Sequence, residues 1–165
     1  MATYLKNLSD YQRDRVPNGA KFRVGIVVSQ WNDDITLGLL KGAEQTLLEN
    51  GVEPDNIIIR FVPGTFELPL GAQMLLEADE EMDGVIAIGC VIQGETRHFD
   101  FVCEGATKGI MDVQLEYGVP VSFCVLTDNT KQQSIDRSGG KHGNKGVECA
   151  VACMQMIGLQ KELEP

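Results

Sequence analysis

The nine residues GVIAIGCVI, Gly84 to Ile92, decide how this chain folds. They carry no charge and are too short for a helix buried all round, so they read as a strand covered on both faces. Three further runs share that character: FRVGIVVS (Phe22 to Ser29), NIIIRFV (Asn56 to Val62) and VPVSFCVL (Val119 to Leu126). Helical periodicity fills the gaps between them. Ile35, Leu39, Leu40, Ala43 and Leu47 recur every three or four residues, with Asn32, Asp33 or Asp34 as the cap and Gly51 as the stop. A second helix starts at PGTFELP, where Pro69 suits a first turn, and continues through Met74, Leu75 and Leu76. A third runs from about His98 to Tyr117 with Gly118 as its stop. Two shorter pieces lie near Gln132 to Ser138 and from about Gly146 to Ile157.

Strand alternating with helix in this way implies an α/β fold, a parallel sheet wrapped by helices through right-handed crossovers. The pattern resembles the flavodoxin-like architecture: three layers, α/β/α, around a four-stranded parallel sheet. The 165 residues suit one domain, 1–165, with residues 1–16 as a possible N-terminal arm. With 24 acidic against 14 basic residues the formal charge is −10, which argues against nonspecific binding to nucleic acid or to an anionic membrane. An anionic ligand therefore needs a local basic pocket. The cysteines, Cys90, Cys103, Cys124, Cys149 and Cys153, are odd in number, form no C-x-x-C pair and sit in apolar runs. They read as free thiols in a reducing cytoplasm. The N-terminus carries charges and no signal-like apolar stretch, and no run approaches a membrane span.

In folds of this kind ligands sit outside the carboxyl ends of the strands, and those ends carry the chain's chemistry. After the first strand comes Trp31, the only tryptophan, suited either to core or interface packing or to stacking on a flat heterocycle. After the second comes VPGTFELP, in which Glu67 either complements a helix dipole or accepts hydrogen bonds from two hydroxyls of a polyhydroxy chain. After the third, Gly94, Glu95 and Thr96 form a turn into a helix whose free amides offer an anion site, Thr96 being alternatively a plain N-cap. His98 follows, one of 2 histidines, with the side chain whose ordinary pKa of about 6.5 suits proton transfer at neutral pH. After the fourth comes DRSGGKHGNKGVE, where Arg137, Lys141, His142 and Lys145 gather before any acid appears. That loop is either a solvated basic cap on the last helix or an anion site cradled by glycines. The Walker and Rossmann glycine orders, the G-x-S-x-G elbow and any zinc-like ligand spacing are absent. Cys149 and Cys153, four apart on one helix face, read as core.

Taken together, PGTFELP, GCVIQGETRHFDFV and LTDNTKQQSIDRSGGKHGNKG, each after the expected strand, resemble lumazine synthase, from about Phe22 to Leu159. The resemblance implies a transferase of riboflavin biosynthesis that condenses 5-amino-6-ribitylaminouracil with 3,4-dihydroxy-2-butanone 4-phosphate, giving dimethyl-ribityllumazine, phosphate and water. It implies no metal and no redox cofactor. Matched position by position, Trp31 stacks on the pyrimidine ring, and Thr65, Phe66 and Glu67 bind the ribityl chain and ring edge. Cys90, Val91 and Ile92 meet the uracil through backbone, Glu95 and Thr96 form the phosphate turn, and His98 is the proton donor. Phe123 and Arg137 complete the pocket from the adjacent subunit, with Lys145 near the anion. A shared pocket implies a homo-oligomer, built in this family on pentamers that in some members pair or close into sixty-subunit shells. The first residues would then add a strand to a neighbour's sheet.

Three positions depart from the family's usual pattern. Trp31 replaces a more usual phenylalanine, and Gln93 stands where arginine or lysine is common. Glu95 puts a carboxylate beside the phosphate turn. Trp31 motivates the alternative of a flavin- or lumazine-binding storage protein on the same fold. A pure scaffold is the third possibility, and the joint presence of His98, Arg137 and Lys145 argues against it.

Overall fold

The computed structural model describes residues 6–163. Four parallel strands make one sheet: β1 (Val24–Ser29), β2 (Ile57–Val62), β3 (Gly84–Ile92) and β4 (Val121–Asp128), in the order β2-β1-β3-β4. Helices α1 (Asp33–Glu49), α2 (Leu68–Ala78), α3 (His98–Tyr117), α4 (Lys131–Arg137) and α5 (Lys145–Leu163) fill the connections and the C-terminus. This is the three-layer flavodoxin-like arrangement expected from the sequence.

The alternation of side chains along the strands builds a core on each side of the sheet. Val24, Ile26 and Val28 of β1, Ile86, Ile88 and Cys90 of β3, and Cys124 and Leu126 of β4 meet α1 and α5. Val27, Val85, Ala87, Val121 and Val125 point the other way, onto α2 and α3. On α1 the buried apolar residues are Ile35, Leu39, Ala43 and Leu47, a four-residue stripe flanked by buried Thr36 and Thr46. Helices α1 and α5 approach closely because Gly146 has no side chain; a Cβ there would collide with the Leu39 carbonyl. Gly118 ends α3 in the left-handed conformation at φ 63°, which glycine adopts without steric cost.

Some boundaries and covers differ from expectation. Strand β2 is an edge strand, with Arg60 and Phe61 exposed, because among the described residues no further strand pairs with it. Its apolar run therefore does not mark burial on both faces. β4 begins at Val121 and extends to Asp128, since the polar Thr127 and Asp128 still pair with Val91 and Ile92. Helix α5 runs six residues beyond the apolar stripe to Leu163. Inside the basic glycine-rich loop a small antiparallel hairpin forms between β5 (Ser138–Gly140) and β6 (Gly143–Asn144). Of the possible arm, residues 1–5 lie outside the described residues. Residues 6–16 contain no strand, and Leu8, Ser9, Arg13 and Arg15 hydrogen-bond to the chain's own hairpin, α1 and α5.

The thiols are free, and Cys90, Cys124, Cys149 and Cys153 are buried. Burial pushes the Cys153 thiol up to about 12 and the Cys90 thiol up to about 11, so both are protonated at neutral pH. We expect an aromatic disulfide reagent at pH 8 to label at most Cys103 in the folded protein, and all 5 cysteines once it is unfolded. Rapid labelling of Cys90 or Cys153 in the folded state would contradict this packing.

Candidate functional site

In the strand order β2-β1-β3-β4 the connections leave β1 and β3 in opposite directions, which opens a crevice at their carboxyl ends. A cavity of about 770 Å³ lies there, of the size that holds a small organic molecule. The walls come from the ends of three strands. Trp31 and Asn32 follow β1, Gly64 to Glu67 follow β2, Cys90 to Ile92 end β3, and Thr96, His98, Phe99, Phe101 and Val102 open α3.

Trp31 is 72% exposed, so it is no core residue; it forms an aromatic wall together with exposed Phe66 and Phe101. The loop that presents it is held by its neighbour. Asn32 takes the left-handed conformation, φ 60° and ψ 48°, and its amide donates to the Cys90 carbonyl at 2.9 Å. Asn32 thus stands at the N-cap position of α1, yet its side chain caps nothing. It ties the end of β1 to the end of β3 instead.

Thr65, Phe66 and Glu67 form a single 3-10 turn before α2. The Glu67 carboxylate folds back over Gly64, where an added Cβ would lie 3.0 Å from Oε2. The Thr65 hydroxyl is buried without a hydrogen-bond partner, packed over Gly89. A side chain at Gly89 would strike it, so the glycine in β3 lets this turn close down on the sheet.

At the mouth of α3, Thr96 is not the formal cap, a position held by Arg97, but its hydroxyl accepts the His98 amide at 3.4 Å. His98 is the first helical residue and is exposed to the cavity. A side chain at Gly94 would meet nothing within 4 Å, so the turn has open space beside it. Gln93 donates its backbone N–H to the Asp128 carbonyl at 2.9 Å, and its side chain folds onto the Gly94 carbonyl.

The cavity thus gathers Trp31, Thr65, Phe66, Glu67, Cys90, Val91, Ile92, Thr96 and His98. Glu95, Phe123, Arg137 and Lys145 do not line it. Glu95 is exposed beyond the turn. Phe123 on β4 packs half-buried against the α2 and α3 side of the sheet. Arg137 ends α4 and donates to the Gln133 carbonyl at 2.9 Å. Lys145 bonds Glu148 at 2.9 Å and is nearly buried. Burial works against its ammonium, but the Glu148 hydrogen bond and Cys149 leave its pKa raised.

Asn32, Phe99, Phe101 and Val102 line the cavity without having been singled out from sequence. Two of them were readable: Phe101 and Val102 lie three and four residues after His98 and so share its helix face. Asn32 left no such signal, because a left-handed asparagine looks like an ordinary cap. Among the described residues no group of three His, Cys, Asp or Glu is placed to hold a metal ion, and no helix is long and apolar enough to cross a membrane.

Residues 21–161 match the family model described as 6,7-dimethyl-8-ribityllumazine synthase. Proteins of that name are similar along almost the whole chain. The Flavobacterium johnsoniae protein is 56% identical over 162 residues, covering 98% of this chain and 85% of its own length. That of Porphyromonas gingivalis is 53% identical, covering 98% of this chain and 99% of its own. That of Christiangramia forsetii is 52% identical, at 98% and 96%. From the family match and these relatives, this chain belongs to the 6,7-dimethyl-8-ribityllumazine synthase family.

Proposed function

We propose that this chain is the enzyme its family name describes, condensing 5-amino-6-ribitylaminouracil with 3,4-dihydroxy-2-butanone 4-phosphate to form 6,7-dimethyl-8-ribityllumazine. The observation that carries the proposal is the crevice itself, which gathers an aromatic platform, a carboxylate, a strand-end backbone, a helix-mouth turn and a histidine around one cavity. Each feature answers a need of the chemistry. Trp31 offers a face for the pyrimidine ring, and Cys90, Val91 and Ile92 offer backbone groups to its edge. Glu67 accepts hydrogen bonds from ribityl hydroxyls, beside the turn that carries Thr65 and Phe66.

Schiff-base formation between the uracil's amine and the ketone expels water. Proton removal then drives out phosphate, and attack of the second amine on the resulting carbonyl closes the ring with loss of a second water. The protein has to orient two substrates, hold the leaving phosphate and move protons. His98 moves the protons, while Thr96 and the turn from Gly94 hold the phosphate, with Glu95 at its outer rim.

The anion's main countercharge is assigned to Arg137 of a neighbouring subunit, with Phe123 closing the ring side and Lys145 supporting the basic loop. Two observations support a shared site. Arg137 and Phe123 do not reach their own chain's cavity, and the α2 and α3 face exposes Leu70, Met74, Met111 and Leu115. Covering such a face in a closed ring would give a homo-oligomer, and the family resemblance implies a pentamer as its basic unit. The whole of 1–165 acts as one domain, in the cytoplasm.

Purified protein mixed with both substrates should form the lumazine and release phosphate in equal amounts; binding of the lumazine without any turnover would overturn the proposal. Trp31→Ala should weaken binding of the lumazine about tenfold by calorimetry, the scale of one lost aromatic stacking contact. Unchanged affinity would remove Trp31 from the ring site.

A further inference from the structure

Helix α4 has only seven residues, and the single one it buries is polar: Ser134, with no solvent exposure. Its one apolar side chain, Ile135, is 42% exposed. Apolar burial therefore does little to place this helix, although it carries Arg137 one turn after Ser134. Hydrogen bonds place it instead. The Ser134 hydroxyl donates to Asp128 Oδ2 at 2.8 Å and accepts the Cys90 S–H at 3.4 Å. Asp128 is the last residue of β4, and its carbonyl accepts the Gln93 amide at 2.9 Å. Cys90 belongs to the cavity wall. One buried serine thus joins α4 to the ends of β3 and β4 and to the turn that opens α3.

Among the helix's other contacts, the Asp136 carbonyl accepts the His142 amide at 2.7 Å and holds the end of α4 to the hairpin. Thr130 and Gln133 form a capping box, which keeps the turn helical but does not attach it to the sheet. Lys131 pairs with Asp34 of α1 at 2.6 Å, but both side chains are about half exposed, and such pairs hold geometry weakly. The Ser134 bond is shielded from water and made to a carboxylate, so it is the stronger and more directional link. Ser134 and Arg137, three residues apart, stand on neighbouring faces of one rigid turn.

We propose that Ser134 is a positioning residue that, through Asp128, sets where Arg137 is presented to the phosphate of the butanone substrate. The inference rests on the anion role given to Arg137 above. It goes beyond that role in naming the group that controls it and in restricting the effect to one substrate.

Steady-state kinetics on the assembled enzyme test it, with each substrate varied in turn and Arg137→Ala as the reference. Ser134→Ala and Asp128→Ala should each raise KM for the butanone phosphate about tenfold, the scale expected when a charge contact is misplaced rather than removed. KM for ribitylaminouracil and kcat at saturation should stay within about twofold. Asp128→Asn, whose amide oxygen still accepts the serine's hydrogen bond, should restore most of the wild-type KM. Adding Ser134→Ala to Arg137→Ala should cost nothing further. A large Arg137→Ala effect beside an unchanged Ser134→Ala enzyme would overturn this inference alone. Equal rises in both KM values would overturn it too, by showing general loosening. An Arg137→Ala enzyme with an unchanged phosphate-substrate KM would overturn the anion role and the inference with it.

Discussion

His98→Ala should lower kcat by about 10²- to 10⁴-fold, the usual contribution of a positioned general acid or base. The residue opens α3 with its side chain at the cavity and belongs to neither apolar core. Its loss leaves no hole. The thermal midpoint should therefore stay close to wild type, because exposed substitutions away from caps and cores cost within about 0.5 kcal/mol. Substrate binding should also survive, since Trp31, Phe66 and Glu67 lie on other loops. The expected signature is thus a fall in kcat with both KM values nearly unchanged. The check is kinetics alongside light scattering, so that loss of assembly is not mistaken for loss of chemistry. A full-rate His98→Ala enzyme would take proton transfer away from this residue.

Arg137→Ala should raise KM for the phosphate-bearing substrate about a hundredfold, as removal of a charge-assisted contact to an anion costs up to about 3 kcal/mol. The chain's formal charge of −10 makes the loss harder to compensate, and the cations Arg97 and Lys131 near the strand ends already pair with Asp100 and Asp34. Lys145, the nearby candidate, already bonds Glu148. Affinity for ribitylaminouracil, which carries no phosphate, should change little. The wild-type KM for the phosphate substrate should rise with added salt, and the variant should lose most of that dependence. Salt titrations of the two enzymes give the comparison directly.

These expectations draw on features whose legibility in the sequence was unequal. The β3 run, the α1 stripe and the Gly118 stop were readable because each is a local consequence of burial or backbone geometry. So were Trp31, Glu67, Thr96 and His98 as strand-end residues, once the run order implied a crevice. What the sequence hid depends on contacts between distant segments. Phe61 lies in an apolar run like the others, and only the strand order shows that β2 is the sheet's edge. Asn32 has the composition of a cap and acts as a strut to Cys90, which requires knowing that β1 and β3 are neighbours. Ser134 is one polar residue among several in KQQSIDR, and its burial beneath Asp128 and Cys90 has no periodic signature. The Lys145 charge looked free in a loop without acids, yet Glu148 stands one helical turn further on.

The central claim is that one chain supplies the cavity and its proton carrier while another supplies the arginine. Co-assembly of His98→Ala and Arg137→Ala subunits in equal amounts, compared with each variant alone, tests it most directly. Random mixing in a ring places an intact His98 beside a neighbour's intact Arg137 in about a quarter of the sites, so with the butanone phosphate held well below its wild-type KM close to a quarter of wild-type turnover should return. Hybrids no more active than the two parent variants would place both residues in one chain's site and contradict the account.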